Sequence, residues 1–411
     1  MIWLVLVLSI ILRIINIDQS LWLDEATQTV LSSKSIYSII FDRVGDFHPP
    51  LSYIVFHLWL LLGDSEIWLR SLSVIFGVAT VYLVFKIADR LFNKKVALFS
   101  ALLLAVAPYH VYYSQEVRMY SMTTFLASLS MYYFIVQKRF GYIVSTVALV
   151  LTHYMGFFLL LSQLIFVLYY EKKRIKGFIF SLLSISFGYL FWLPFFGQQL
   201  LNGIKADQYL PGWGNLLSEN LFKAVPLLLL KFSIGRISFD NDLIYIPLIV
   251  FVISFFCFIL YRSIKQDKNT RLVLFWFLLP IFLTWFISFF IPMFQPFRLL
   301  FIIPAFYILI SVGIFELKRY KNIVIVTLLL ITVSSLVIYY SDQKFWREDW
   351  KGAINFLDQT DKDKDDIVVA WPEAFDPIKW YGKDLTVIGV VSVFPSQKDL
   401  VYKNMDKISL N

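Results

Sequence analysis

The sequence predicts an all-α polytopic membrane protein, and three observations carry that expectation. Hydrophobic residues make up 59% of the 411, against roughly 45–50% in an ordinary soluble domain. Charged residues fall to 16% and aromatics rise to 18%, with a mean hydropathy of +0.70. Runs of mainly apolar residues recur along the chain at about the 20-residue length that crosses a bilayer. A soluble fold of this size cannot cover so much apolar surface, so most of the chain must have lipid as its solvent.

In chain order the runs are 1–17, 67–89, 96–113, 119–136, 140–152, 155–170, 177–196, 243–262, 271–291, 297–316 and 322–341, which makes about eleven spans. The pair 140–152 and 155–170 is short. Pro50–Gly63 is apolar over only 14 residues, which suits a helix along the outer leaflet better than a span. Charge placement supports the threading. With the N-terminus inside, the inner loops hold Arg90/Lys94/Lys95, Lys138/Arg139, Lys172/Lys173/Arg174/Lys176, Arg262/Lys265/Lys268/Arg271 and Lys318/Arg319/Lys321, as the positive-inside rule requires. Counting Pro50–Gly63 as a span would put all of these outside. No basic residue precedes Arg13. The first run lacks a small-residue cleavage site and reads as a span, and no internal repeat is evident.

The formal charge of +8 divides unevenly: residues 342–411 carry a net −3 and residues 1–341 a net +11. The basic residues sit between apolar runs, and no aromatic-interleaved basic patch points to nucleic acid. The lone Cys257 makes neither an internal disulfide nor a Cys-rich zinc site and reads as a small buried hydrophobe. Two units are expected, a transmembrane domain at 1–341 and an extracytoplasmic tail at 342–411. The outward regions are then Ile17–Glu66, the turn Ser114–Arg118, Gly197–Asp242 and the tail. In the first loop, Ala26–Leu31 and Ile36–Phe41 read as amphipathic helices on the membrane, and Pro211-Gly212-Trp213-Gly214 is a turn signal. The tail offers a helix over Trp346–Leu357 and an Asp/Lys-rich turn at Asp361–Asp366. Strand-like Ile367–Trp371 and Leu385–Val391 then flank a helix at Glu373–Trp380, a small α/β appendage.

Ionisable residues at a membrane boundary are costly and so are functional candidates. Asp24-Glu25 follows the first span, where an N-terminal helix charge is the plain alternative. His48-Pro49-Pro50 closes the same loop and Arg70 opens the next span. The turn Tyr113-Ser114-Gln115-Glu116-Val117-Arg118-Met119-Tyr120 puts a carboxylate and a guanidinium on the same face. A structural ion pair would explain Glu116 and Arg118 in isolation, but their company with Asp24 and Glu25 is where a site would assemble.

Several stretches carry a family resemblance: Leu21-Trp22-Leu23-Asp24-Glu25-Ala26, His48-Pro49-Pro50-Leu51, Leu69-Arg70-Ser71-Leu72 with Gly77, and the Tyr113–Tyr120 turn. They resemble those of the family 39-like glycosyltransferases of the GT-C fold, relatives of the protein O-mannosyltransferases and the lipid A aminoarabinose transferase. Thr152-His153-Tyr154, Phe297-Arg298-Leu299-Leu300 and Trp346-Arg347-Glu348-Asp349-Trp350 also fit. The resemblance implies transfer of a sugar from a polyprenyl-phosphate donor to a protein, glycan or lipid acceptor on the outer face of the cell membrane. Asp24 matches the first-loop general base, with Glu25 beside it, and Glu116 the second acidic position. Arg70 matches the arginine on the donor phosphate, with Arg118 and Arg298 as further phosphate contacts. His48, Tyr113, Tyr120 and His153 are candidate substrate contacts, although a packed helix-end histidine explains His153 as well.

The residue chemistry agrees with that reading. A leaving phosphate needs its charge stabilised, which the arginine fork does in bidentate fashion. An acceptor hydroxyl needs a base, and one carboxylate suffices for an inverting single displacement. No cofactor is firmly indicated. A Mg²⁺ or Mn²⁺ between Asp24 and Glu116 would suit hard-cation chemistry, whereas Asp240-Asn241-Asp242 reads as a turn or helix cap. The outer Asp-x-Asp and the Trp-Trp-Asp tail motif of related oligosaccharyltransferases are missing from their expected places. The rival class is a transporter or flippase for an amphipathic substrate. Transporters show paired repeats and broken helices at the midplane, whereas the ionisable residues here gather at one face.

Overall fold

A computed structural model of the chain describes residues 1–42, 47–209, 220–264, 267–360, 367–369, 375–382 and 387–389. The turn signal at 211–214, Lys265 and the Asp/Lys-rich turn at 361–366 lie outside those residues. The described chain is a helical multi-pass bundle. Seven helices are long and apolar enough to cross a membrane: Glu66–Leu91, Met119–Val136, Lys172–Gly203, Tyr245–Ser263, Lys268–Ile287, Pro296–Phe315 and Lys321–Ser341. The bent pair Lys94–Ala105 and Pro108–Ser114 makes an eighth if read as one span.

The expected eleven spans are thereby reduced to seven or eight. The other three runs are helices too short to cross alone, Ile2–Ile14, Arg139–Val150 and Gly156–Tyr170, and Leu51–Leu60 is a fourth of this kind. At 1.5 Å per residue a helix of 15 residues reaches about 22 Å, short of a hydrocarbon core about 30 Å thick. The last two of the three runs are parted at Thr152-His153-Tyr154, where Leu151–Met155 forms tight turns.

The centre of the bundle is Ile303–Phe315, in which every residue from Ile303 to Ile314 is buried. It packs against Lys94–Ala105, Asp242–Ser263 and Lys268–Ile287. Cys257, expected to be buried, is instead exposed on the flank of the bundle. Glu66–Leu91 packs along both Lys94–Ala105 and Met119–Val136.

The break between the paired helices has a clear cause. Pro108 opens the second helix and has no N–H to give back, and the axis turns by 61°. Carbonyls left near the break are capped by Arg13, which lies at 0% exposure within the first helix. It donates to Ala105 O at 3.0 Å and Leu104 O at 3.5 Å, and to His110 Nδ1 at 2.7 Å. A broken helix in apolar surroundings needs neighbours to satisfy its freed backbone groups, and here that neighbour is a side chain 92 residues earlier. The break aims the second half-helix toward the turn that bears Glu116.

Gly77 allows this half-helix to lie close. A Cβ at residue 77 would stand 2.3 Å from Ser114 Oγ and 2.7 Å from Ser114 Cβ. Gly77→Ala should therefore cost about 1–3 kcal/mol through overpacking. Adding Ser114→Ala should return only some of it, because Cβ at 114 remains. Thermal unfolding of the three variants in detergent checks this, and an unchanged midpoint for Gly77→Ala would show the helices separate freely.

The first-loop helix spans Leu23–Ser32 and a second Ile36–Phe41. The first does not simply lie on a lipid surface: Glu25, Ala26, Gln28, Thr29, Val30 and Ser32 are buried, against Leu51–Leu60 and the tail helix Phe375–Tyr381. In the tail, the first helix begins at Trp350 and runs to Thr360. The α/β appendage amounts to that helix, Phe375–Tyr381, and a parallel pairing of three residues each, Ile367–Val369 with Val387–Gly389. Nothing domain-sized in β structure is found among the described residues.

Candidate active site

Two short pieces of chain set the site: the start of Leu23–Ser32 and the turn Gln115–Arg118. The helix begins at Trp22, whose N–H donates to Glu25 Oε2 at 3.3 Å, the reciprocal half of a capping box. Asp24 and Glu25, one residue apart, therefore point about 100° apart around the helix. Glu25 is turned fully inward at 0% exposure, while the Asp24 side chain stays 48% exposed.

Glu25 is saturated. Its Oε1 accepts from Arg70 Nε at 2.9 Å and Val117 N at 2.8 Å, and its Oε2 from Arg70 Nη2 at 2.6 Å. Burial by itself would raise this carboxyl, but Arg347, Arg70 and the Val117 N–H together hold it below the ordinary value. A carboxylate so held neither takes a proton from an acceptor nor reaches one. Glu25, expected among the catalytic groups, is placed here as an anchor tied to Arg70 and Val117 N.

Arg70 is engaged in the same network. Besides its two bonds to Glu25, it donates to Ile17 O at 2.8 Å, Gln19 O, and Ser20 O at 2.8 Å. A guanidinium has five N–H groups, and all five of these are engaged in a side chain 1% exposed. No donor is left for a phosphate.

Arg118 and Arg298 are placed differently. Arg118 Nη2 lies 3.8 Å from Asp24 Oδ2 and its Nη1 donates weakly to Asp24 O at 3.4 Å. Its Nε is buried without a hydrogen-bond partner among the described residues. Arg298 donates to Met293 O at 3.1 Å and lies 5.8 Å from the Phe297 ring. Tyr120 links the pair, 5.8 Å from the Arg118 guanidinium and 5.2 Å from the ring of Phe297. His153 joins on the other side, its ring 6.3 Å from Tyr120 and 5.7 Å from His48.

Burial, then the positive fields of His48, Arg298 and Arg118, push His153 well below its ordinary value, so it is neutral near pH 7. Met155 N donates to His153 Nδ1 at 3.2 Å, which assigns the proton to Nε2. That Nε2 is buried and has no hydrogen-bond partner among the described residues, so it is a donor in reserve. Tyr113 packs between Tyr109, Tyr112, Tyr120 and Phe297 as a wall of the same cluster.

Glu116 stands between the groups. Its Oε1 accepts from Trp22 Nε1 at 3.1 Å, and Ser73 Oγ donates to its backbone carbonyl at 2.5 Å. Its Oε2 is buried and unpartnered among the described residues. Burial raises this carboxyl to about 7; Arg347 and Arg118 pull it down, and Glu25 and Asp24 push it up.

The residues do not fit a divalent cation. Among the described residues, no group of three or more His, Cys, Asp or Glu is placed to hold a metal ion. Glu25 is taken by Arg70, Asp24 faces Arg118, and one Glu116 oxygen faces Trp22. The single Glu116 Oε2 that remains falls far short of the six or so oxygens Mg²⁺ prefers. Asp240-Asn241-Asp242 is a helix cap, as its spacing suggests: Asn241 accepts from Leu243 N at 3.0 Å, and Asp240 pairs with Lys344.

Two arginines are not singled out by the sequence. Arg347 is visible there only as one letter of a tail motif, yet its side chain is 4% exposed and lies 3.7 Å from Glu25 Oε2. Arg236 follows Gly235, whose φ of +76° no ordinary side chain adopts readily. Its guanidinium donates to Tyr112 OH and sits 4.5 Å from that ring. A positive-φ glycine before an arginine is a faint signal that could have drawn attention to it.

Comparison with known proteins bears on the fold. Residues 47–194 match the family described as dolichyl-phosphate-mannose-protein mannosyltransferase. ArnT from Cupriavidus metallidurans, solved bound to undecaprenyl phosphate, superposes with a TM-score of 0.64 at 12% identity, over 98% of this chain and 88% of that one. The Archaeoglobus fulgidus oligosaccharyltransferase, solved with zinc and sulfate, gives 0.60 at 12% identity over 95% of this chain. The chain spans about 62% of that protein's length. The oligosaccharyltransferase AglB from Archaeoglobus fulgidus, solved with an inhibitory peptide and a dolichol-phosphate, gives 0.55 at 12% identity, over 88% of this chain and 58% of that one. No curated protein matches by sequence. The GT-C resemblance read from the sequence thus holds, and the shared fold is that of a multi-pass membrane protein.

Proposed function

We propose that the chain is a polyprenyl-phosphate-sugar-dependent glycosyltransferase that passes a hexose to an acceptor on the outer face of the cell membrane. The observation that carries the reading is the grouping of Asp24, Arg118, Arg298, Tyr120, His48 and His153 in one cluster, within a fold whose neighbours were solved with undecaprenyl phosphate and dolichol-phosphate. A transporter would want its charged groups along a path, and these stand together.

In the proposed step an acceptor oxygen attacks the sugar C1 as the bond from C1 to the phosphate oxygen breaks. The proton goes to Asp24, the carboxylate open to the acceptor side. The leaving polyprenyl phosphate gains a negative charge, which Arg118 and Arg298 offset, with the His153 Nε2–H as a further donor. The configuration at C1 inverts because a single displacement occurs. The acceptor is a protein, a glycan or a lipid, and the transmembrane domain at 1–341 acts with the tail at 342–411 as one enzyme. The family description at 47–194 names mannose on a dolichyl lipid, which makes mannose the first donor to try.

Binding of undecaprenyl phosphate to purified protein tests the phosphate site. Arg118→Ala and Arg298→Ala should each weaken it by about 10- to 100-fold, the worth of a charge-assisted hydrogen bond. In sealed vesicles, transfer should occur with acceptor supplied on the outer side. Undiminished lipid binding by both variants would remove the phosphate site from this cluster.

A further inference from the structure

The tail reaches the site through a row of contacts. Arg347 N donates to Gln19 Oε1 at 2.9 Å, Lys351 N to Ser20 Oγ at 3.0 Å, and Tyr381 OH accepts from Leu21 N at 2.8 Å. Three consecutive residues just ahead of Asp24-Glu25 are thus held from one tail. Lys351 Nζ also pairs with Glu66 at 2.9 Å, at the foot of the helix that bears Arg70.

From this strap Arg347 extends inward. Its Nη2 donates to Gln115 O at 2.9 Å, its Nη1 to Tyr112 OH at 3.4 Å, and the guanidinium lies 4.7 Å from the Tyr112 ring. It therefore touches both pieces of chain that set the site, the Glu25 helix and the Gln115–Glu116 turn.

Charge shows why a cation is wanted there. Glu25 and Glu116 are both buried, and Arg70 is spent on Glu25 and three carbonyls. Arg118 on Glu116's own turn faces Asp24. Arg236, from the loop after Leu221–Ile234, is spent on the hydroxyl and ring of Tyr112. The other groups around Glu116 are Tyr109, Tyr112, Tyr113 and Tyr120, neutral near pH 7. Arg347, bonded to the carbonyl of Gln115 beside Glu116, is the buried cation that acts on it most strongly, ahead of Arg118.

We propose that Arg347, delivered by the C-terminal tail, is a positioning residue of the site: it locks the Glu25 helix to the Glu116 turn and supplies the positive charge that balances Glu116. The tail then belongs to the working site and is not a passive appendage. The proposal rests on the transferase reading only where activity is measured.

The test is a pH titration of the full chain in detergent, followed by infrared spectroscopy of protonated carboxyl groups. The Glu116 band is assigned by its loss in Glu116→Gln. Its midpoint in the wild type is expected at about 7. In Arg347→Gln it should move up by about one pH unit or more, the effect of removing an opposite charge bonded to the neighbouring Gln115 carbonyl. Arg347→Lys keeps the charge and loses the fork, so its midpoint should stay within about half a unit of wild type. The acid limb of sugar transfer against pH should follow the same displacements. A fixed midpoint in Arg347→Gln, or a full displacement in Arg347→Lys, overturns the proposal. Should Arg347→Gln fail to fold, Arg347→Met, which keeps the apolar stem and removes the charge, is read in its place, with the same upward displacement expected and a fixed midpoint overturning the proposal. If no transfer is seen even in wild type, the transferase reading fails while the infrared result still judges Arg347.

Discussion

Replacing Asp24 with asparagine is expected to lower sugar transfer by about 10²–10⁴-fold, the usual worth of a general base, while undecaprenyl phosphate still binds. Asparagine has the same shape and cannot take up a proton near neutral pH. The helix start does not depend on residue 24, because its cap is built from Trp22 and Glu25. Of the three carboxylates gathered here, Glu25 and Glu116 are buried at 0% and 1%, so Asp24 is the one an acceptor hydroxyl can approach. Lipid affinity should hold or rise slightly, since Arg118 loses its neighbour at 3.8 Å and becomes freer for phosphate. If Asp24 served only to orient Arg118, the asparagine variant would lose donor affinity and turn over normally at saturating donor. Measuring kcat and lipid binding on the same preparation separates the two, and near-normal kcat rejects the base role.

Much of the architecture can be read from hydropathy, because apolar length is dictated by the solvent and by nothing subtler. Glu66–Leu91, Met119–Val136 and Lys321–Ser341 fall within a few residues of the apolar runs that predict them. What hydropathy cannot see is where a helix is interrupted inside protein. The break before Pro108 is tolerated because Arg13 caps it, and in the sequence Arg13 reads as an ordinary residue near the end of a span. Likewise Arg139–Val150 and Gly156–Tyr170 are separated by the turns of Leu151–Met155, which hydropathy does not mark.

The site is legible in the sequence as a set of residues and not as a set of roles. Spacing puts Asp24, Glu25, Glu116 and Arg118 on one face, and they do meet. Which of two adjacent carboxylates turns inward depends on the phase of a helix whose start is fixed by Trp22, and a sequence does not print that phase. Arg70 and Arg118 look alike as letters. Only the turn from Ile17 to Ser20, with its carbonyls presented to Arg70, tells the anchored arginine from the available one. Arg347 joins the site from more than 300 residues away, a closure that follows from packing of the tail and leaves no local pattern.

The difference between those arginines makes Arg70→Lys the change with the largest expected effect on stability. A lysine ammonium has three donors on a flexible stem. It cannot replace two parallel bonds to Glu25 and three to Ile17, Gln19 and Ser20 at once, so at least two acceptors in a buried place lose their partner. Breaking a buried ion pair costs about 3–5 kcal/mol when one member is removed; a lysine that keeps the charge and loses the fork should fall near the lower end, about 3 kcal/mol. Glu25→Gln should cost a similar amount for the opposite reason, leaving the Arg70 cation buried with an amide. Because the two act on one network, the double variant should cost less than the sum of the singles. Lipid affinity measured on the folded fraction should stay near wild type, because Arg70 has no free N–H to offer a phosphate. Thermal unfolding and undecaprenyl phosphate binding, followed in parallel, give the decision. A stable Arg70→Lys protein with lipid binding weakened tenfold would return Arg70 to the phosphate site and show that its bonds to the first loop open when donor arrives.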